Sequence, residues 1–217
     1  VRRVMLARKA RLVKHNSRLS QGSLLDIGTG TGYFPHFMQE RGWHVSAIEK
    51  SPQARQFAKE HFELDVAAPE ALNEFADKSF DVITLWHVME HLEHLNETWE
   101  TLKRILKDQG ILIIAVPNPT SFDAEKYKEM WGAYDVPRHL WHFSPSVMQQ
   151  FGAKHDFILC ERHPMPFDAF YVSMLSEKYR KSAFPFIKGL ITGAEAWIVS
   201  LAKKDRSSSM IYVFRKK

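Results

Sequence analysis

Leu24-Leu25-Asp26-Ile27-Gly28-Thr29-Gly30-Thr31-Gly32-Tyr33-Phe34 reads as a buried strand running straight into a glycine-rich turn and then a helix. The missing β-carbons at Gly28, Gly30 and Gly32 let backbone turn tightly and lie against a ligand. Such a turn, ending on a helix N-terminus, ordinarily attracts a pyrophosphate. Asp26, two residues before the first glycine, would repel one and suits a cationic or amine-bearing ligand. The spacing also differs: the dinucleotide fingerprint is G-x-G-x-x-G, whereas this loop is G-x-G-x-G. Both features weigh against an NAD(P)-dependent oxidoreductase, the alternative reading of the same strand, turn and helix.

Working outward, Tyr33 to Arg41 is helical with Phe34, Phe37 and Met38 on one side, and Trp43 to Ile48 is a second strand ending in Glu49. Glu49 lies 21 positions beyond Gly28, where the carboxyl end of a second strand presents an acid to the hydroxyls of a bound ribose. Ser51-Pro52 starts a helix that runs to about His61. Phe62 to Val66 is a short third strand with Asp65 at its carboxyl end, and Glu70 competes for the same role. Lys78 to Leu85 is a near-continuous apolar fourth strand that delivers Trp86-His87-Val88-Met89-Glu90-His91. Leu92, Leu95, Trp99, Leu102 and Leu106 recur at helical spacing, and Gly110 ends that helix. Ile111 to Val116, His155 to Arg162 and Ser209 to Phe214 complete the strands. The alternation predicts an α/β fold, a doubly wound, mostly parallel seven-stranded sheet with an antiparallel last strand.

Asp26 with the three glycines matches the pattern (D/E)-x-G-x-G-x-G, and Ser79-Phe80-Asp81-Val82-Ile83 follows as an apolar fourth-strand motif, its Asp81 16 positions after Asp65. Over residues 24 to 160 the chain resembles class I S-adenosylmethionine-dependent methyltransferases of the bacterial small-molecule type, among them the quinone-biosynthesis O-methyltransferase group. The resemblance implies a Rossmann-like fold and S-adenosylmethionine as cofactor, bound by Asp26, Gly28, Thr29, Gly30, Gly32, Glu49, Asp65 and Trp86. Asp65 would accept from the adenine amine, and Trp86 and His87 would flank the methyl group. It further implies in-line transfer of that methyl to an oxygen or nitrogen of a small-molecule acceptor. A hydroxyl acceptor needs a base, and His139, His87 and His142 are the candidates, since imidazole titrates near neutral pH. His139 closes the run Trp131-Gly132-Ala133-Tyr134-Asp135-Val136-Pro137-Arg138-His139, which resembles a group of bacterial methyltransferases that modify lipids, quinones and sugars. His87, Glu90 and His91 resemble a divalent-metal motif of some RNA 2′-O- and quinone-type O-methyltransferases. Here His87 replaces its first acidic ligand and no histidine pair closes the site, so the expectation is metal-free transfer. A non-catalytic methyltransferase-like binding protein is the remaining alternative, and intact glycines, Asp26 and Glu49 argue against it.

The 217 residues, 45% hydrophobic and 12% aromatic, suffice for a single domain. Its expected parts are a basic helical cap (1–20), a cofactor-binding core (21–160), a lid with an amphipathic helix (161–205) and a final strand (206–217). Net charge is +5, and residues 1–25 hold seven Lys/Arg and no acid. That basic helix is expected to pack beside the cofactor site; no aromatic residue interleaves the charges, so nucleic acid is not an expected partner. The aromatic stretch 163–183 is expected to shape an acceptor pocket or lid. Phe184, Ile187, Leu190, Ile191, Ala194, Trp197, Ile198 and Leu201 trace a helix expected to dock its apolar face on the domain, with peripheral membrane contact as the alternative for it and for the basic N-terminus. The single cysteine, Cys160, leaves no internal disulfide and is expected inside the core. With no signal-peptide pattern and no run of about 20 apolar residues, the expected location is cytoplasmic.

Overall fold

The computed structural model describes residues 2–217. Helix α1 (Arg2–Ser17) precedes strand β1 (Ser23–Ile27), α2 (Tyr33–Gln39), β2 (His44–Ile48) and α3 (Pro52–Phe62). The chain continues through β3 (Phe80–Trp86), α4 (Leu95–Ile105), β4 (Leu106–Pro117), α5 (Phe122–Tyr127) and α6 (Pro145–Lys154). It ends with β5 (Phe157–Pro164), α7 (Asp168–Tyr179), α8 (Pro185–Ala202) and β6 (Ser209–Lys216). The sheet has six strands in the order β2-β1-β3-β4-β6-β5, with β6 antiparallel to both neighbours and the others parallel.

The expected third strand does not form, so the count is six and not seven. Glu63 ends α3 in the left-handed conformation (φ 55°), and the segment after it gives only a single bridge, between Ile48 and Ala67. Nor does Gly110 end α4, which stops at Ile105; residues 106–110 already belong to β4, bulging against β3 between Phe80 and Val82.

Strand alternation divides the core between the two faces of the sheet. Leu25, Ile27, Ile83, Leu85, Leu112 and Ile114 pack with Trp99 and Leu102 of α4 and Met148 of α6. Leu24, Val82, Ile111 and Ile113 pack on the other side with Ala10 and Val13 of α1 and Phe34, Phe37 and Met38 of α2. Asp26 and Thr84 share the face of Leu24 and Val82, so both lie on the α1 side. The Phe80-Asp81 pair has a structural use: Asp81 accepts from the Ser23 N–H (2.9 Å), the Ser23 hydroxyl (2.8 Å) and Lys107 (2.8 Å), tying three strands at the end remote from the glycine loop. Cys160 is on a strand but exposed, because β5 is the sheet edge and its alternate residues face outward.

Candidate functional site: the crevice at the carboxyl ends of β1, β2 and β3

The order in which strands are added reverses beside β1, with β2 on one side of it and β3 on the other, which opens a crevice at the carboxyl ends of these parallel strands. The glycine loop lines it. Gly28 has φ +68°, and a β-carbon there would come within 2.3 Å of Val88, so only glycine lets the loop and the β3 end approach this closely. Gly30, at φ +57°, faces open space, with nothing within 4 Å of the β-carbon it lacks. Gly32 caps α2, and the Gly28 and Thr29 amides both donate to the Ile48 carbonyl, locking the loop onto β2.

Glu49 stands across this space. Its carboxylate accepts from the Gly30 N–H (2.7 Å) and the Ser51 N–H (2.9 Å). A carboxylate has about four acceptor directions, so lone pairs remain for ribose hydroxyls. Losing one charge-assisted acceptor costs about 1.5 kcal/mol or more; Glu49→Gln should therefore weaken binding of an adenosine-bearing ligand about tenfold by calorimetry. Unchanged affinity would remove Glu49 from the site.

Asp26 is buried beneath the loop, where it accepts from the Thr84 hydroxyl at 2.5 Å. Burial pushes its pKa up to about 6, although Thr84 and the nearby ammonium of Lys9 pull the other way. Because the folded pKa lies above the ordinary 3.8, the stability this group contributes is full below about pH 4 and lost as pH rises through 6. A cationic ligand favours the ionised form. Its affinity should rise up to about tenfold per pH unit below 6 and then level, with Asp26→Asn flat over the same range. A flat wild-type profile would show that Asp26 only supports the loop.

Two residues that periodicity alone does not mark complete this side. Lys9, on α1, lays its ammonium 4.3 Å from the Trp86 ring centre, and burial lowers its pKa against the pull of Asp26 and Asp168. Asp168, the first residue of α7, meets the His87 ring at 3.1 Å. His87 follows β3 in the left-handed conformation (φ 58°), which swings its ring between Asp168 and Glu90, the latter at 3.4 Å. Burial would lower its pKa, but the two facing carboxylates, Asp168 in a hydrogen bond and Glu90 as an ion pair, raise it to about 10. His87 is thus an imidazolium at neutral pH and no proton acceptor, contrary to its expected place among the bases.

A cavity of about 150 Å³ adjoins Trp86, walled by Met5, Lys9, Leu12, Met165, Phe167 and Asp168. The Trp86 indole N–H is buried without a hydrogen-bond partner, an unused donor in the residue shared by crevice and cavity. His139 and His142 are not in this wall; they lie beyond His87, around Glu90. Ligand atoms of Glu90, His91 and His139 fall within 4.8 Å of one another. Each of those imidazoles engages a backbone carbonyl through Nδ1, His91 with Arg138 (2.9 Å) and His139 with Ala133 (2.8 Å), which leaves Nε2 as the free lone pair. Neither Glu90 oxygen has a close hydrogen-bond partner. Folding thus supplies the histidine pair that the sequence order hides, and the donor set fits a divalent cation. The His142 pKa is lowered by burial and by neighbouring His139, so it is neutral at pH 7. Asp65 lies outside this enclosed part of the crevice: its side chain is 87% exposed and paired with Lys59.

Residues 1–160 match the family model described as a methyltransferase domain. The chain belongs to this family and carries the fold of the class I S-adenosylmethionine-dependent methyltransferases. Among curated relatives, it is 33% identical over 112 residues to an uncharacterized methyltransferase of Staphylococcus carnosus, covering 51% of this chain and 53% of that one. It is 34% identical over 104 residues to the ubiquinone biosynthesis O-methyltransferase of Pelagibacter ubique, covering 45% and 42%. The chain thus spans about half the length of the curated relatives it matches. Among solved structures, a methyltransferase of Archaeoglobus fulgidus superposes over 100% of this chain and 95% of its own at TM-score 0.64 and 18% identity. Phosphoethanolamine N-methyltransferase 2 of Haemonchus contortus, solved with S-adenosyl-L-methionine, does so over 97% and 52% at 0.65 and 22%. The nicotinamide reading finds no support among these.

Proposed function

We propose that this chain transfers a methyl group from S-adenosylmethionine to an oxygen or nitrogen atom of a small, largely apolar acceptor. The observation that carries the reading is the apolar cavity that shares Trp86 with the glycine-loop crevice. Bound in the crevice, S-adenosylmethionine supplies an activated methyl: the acceptor lone pair forms the new bond in line as the S–CH₃ electrons return to sulfur, leaving S-adenosylhomocysteine. Glu49 would hold the ribose, and the Gly28–Gly32 loop would hold the methionine end. Met5, Leu12, Met165 and Phe167 exclude water and fix the acceptor, whose positioning can contribute several kcal/mol, up to about 7–11. The unused Trp86 N–H orients an acceptor oxygen. Lys9, with Arg8 beside it in the wall, favours an acceptor that also carries an anionic group.

A hydroxyl acceptor must lose a proton, and His142, whose pKa burial lowers, and His139 beside it are the bases of this reading. A cation held by Glu90, His91 and His139 would lower the hydroxyl pKa, and the base role would then fall to His142. Calorimetric titration with S-adenosylhomocysteine and with NADH tests the cofactor: S-adenosylhomocysteine should bind and NADH should not, and the reverse overturns the assignment. Transfer of labelled methyl to phenolic and amine acceptors, with and without a chelator, tests the rest.

A further inference from the structure

Helix α8 is built inside out. The residues it buries are small or polar: Gly189, Thr192, Gly193, Ala196 and Ser200. Gly189 and Gly193 sit so close to α7 that a β-carbon would come within 2.6 Å of Met174 Cα and 2.7 Å of Phe170 Cα, a small-xxx-small contact between two helices. The apolar set expected to dock on the domain therefore faces out. Ile187, Ile191, Ile198 and Leu201 are 56%, 55%, 61% and 65% exposed, and Phe186 and Leu190 are exposed beside them. At about 100° per residue, the outward arc of about 160° holds only apolar side chains. Lys188 and Glu195 fall at its margin, and Glu195 is turned to Lys126 of α5.

We propose that this face of α8 docks on an anionic lipid surface, lying in the interface without crossing it; among the described residues no helix is long and apolar enough to cross. Three features favour lipid over a second protein. The arc offers no hydrogen-bonding side chain except the Trp197 indole, whereas protein interfaces carry roughly one hydrogen bond per 100–200 Å². Cations bracket it at both ends, Lys178, Arg180 and Lys181 before the helix and Lys203 and Lys204 after it, and none joins an ion pair among the described residues. Anionic headgroups complement such a bracket. A two-fold pair of this chain through α8 would set one group of cations against another, whichever way the helices ran.

Sedimentation with vesicles tests the proposal. The chain should pellet with phosphatidylcholine vesicles doped with phosphatidylglycerol, more weakly at high salt, and remain in solution with phosphatidylcholine alone. The triple variant Ile187→Gln, Ile191→Gln, Ile198→Gln, altered only at exposed positions, should lose roughly tenfold or more in vesicle affinity while binding S-adenosylhomocysteine as the wild type does; circular dichroism checks its fold. Three results would overturn the proposal: no pelleting with either vesicle, a folded triple variant that pellets like wild type, or a wild-type dimer without vesicle binding that the variant turns into monomer. The last would give the face to a second copy.

Discussion

Gly28→Ala should abolish measurable cofactor binding, with a loss of at least about a hundredfold. The left-handed φ of +68° costs an alanine about 1–2 kcal/mol. Its β-carbon would also meet Val88 at 2.3 Å, an overpacking worth about 1–3 kcal/mol. Relief requires Val88 to move, and Val88 directly follows Trp86 and His87, so the wall of the cavity shifts with the loop. Gly30→Ala separates loop strain from ligand contact. At φ +57° with open space around it, that alanine adds backbone strain but no clash, so thermal stability should stay nearer the wild type while affinity for S-adenosylhomocysteine still falls. If Gly30→Ala binds it as tightly as the wild type does, the space above the loop is not where the cofactor lies.

Features read along the chain and features made by folding divide on physical grounds. The loop and Glu49 are legible because local chemistry fixes them: positive φ demands glycine, and a strand end sets where an acid emerges. Strands β1, β3, β4 and β6 are legible because buried parallel and central strands are apolar almost throughout. The strand expected over residues 62–66 misled because Glu63 in the left-handed region closes α3 and leaves Asp65 turned to solvent. Lys9 reads as one cation among seven in a basic helix, yet its place opposite Asp26 makes it part of the site. Asp168 lies 81 positions from His87, and no periodicity joins them. Helix α8 inverts the usual rule, since close packing through Gly189 and Gly193 rewards small residues inside and leaves bulky ones outside. Such contacts follow from backbone separation, which hydropathy does not encode.

The His87–Asp168 contact is the joint of the site, because it ties the end of β3 to the start of α7 and stands between the cavity and the Glu90 cluster. Asp168→Asn should therefore lower methyl transfer by about ten- to a hundredfold, and lower stability as well. Both side chains remain partly open to solvent, so a charged hydrogen bond here is discounted to about 1–2 kcal/mol. In a chain of this size that is a fall of about 3–6 °C in Tm. The pH dependence carries the sign. The folded pKa of His87, about 10, lies above its ordinary 6.5, so the stability contributed by the imidazolium is full below about pH 6.5 and lost as pH rises through 10. The Tm difference between wild type and Asp168→Asn should thus be largest near pH 6.5 and shrink towards pH 10.5, whereas a simple packing defect would give a constant difference. Thermal denaturation of both proteins across that range decides between them. Equal Tm and equal methyl transfer at neutral pH would show that the contact neither holds α7 nor shapes the acceptor site.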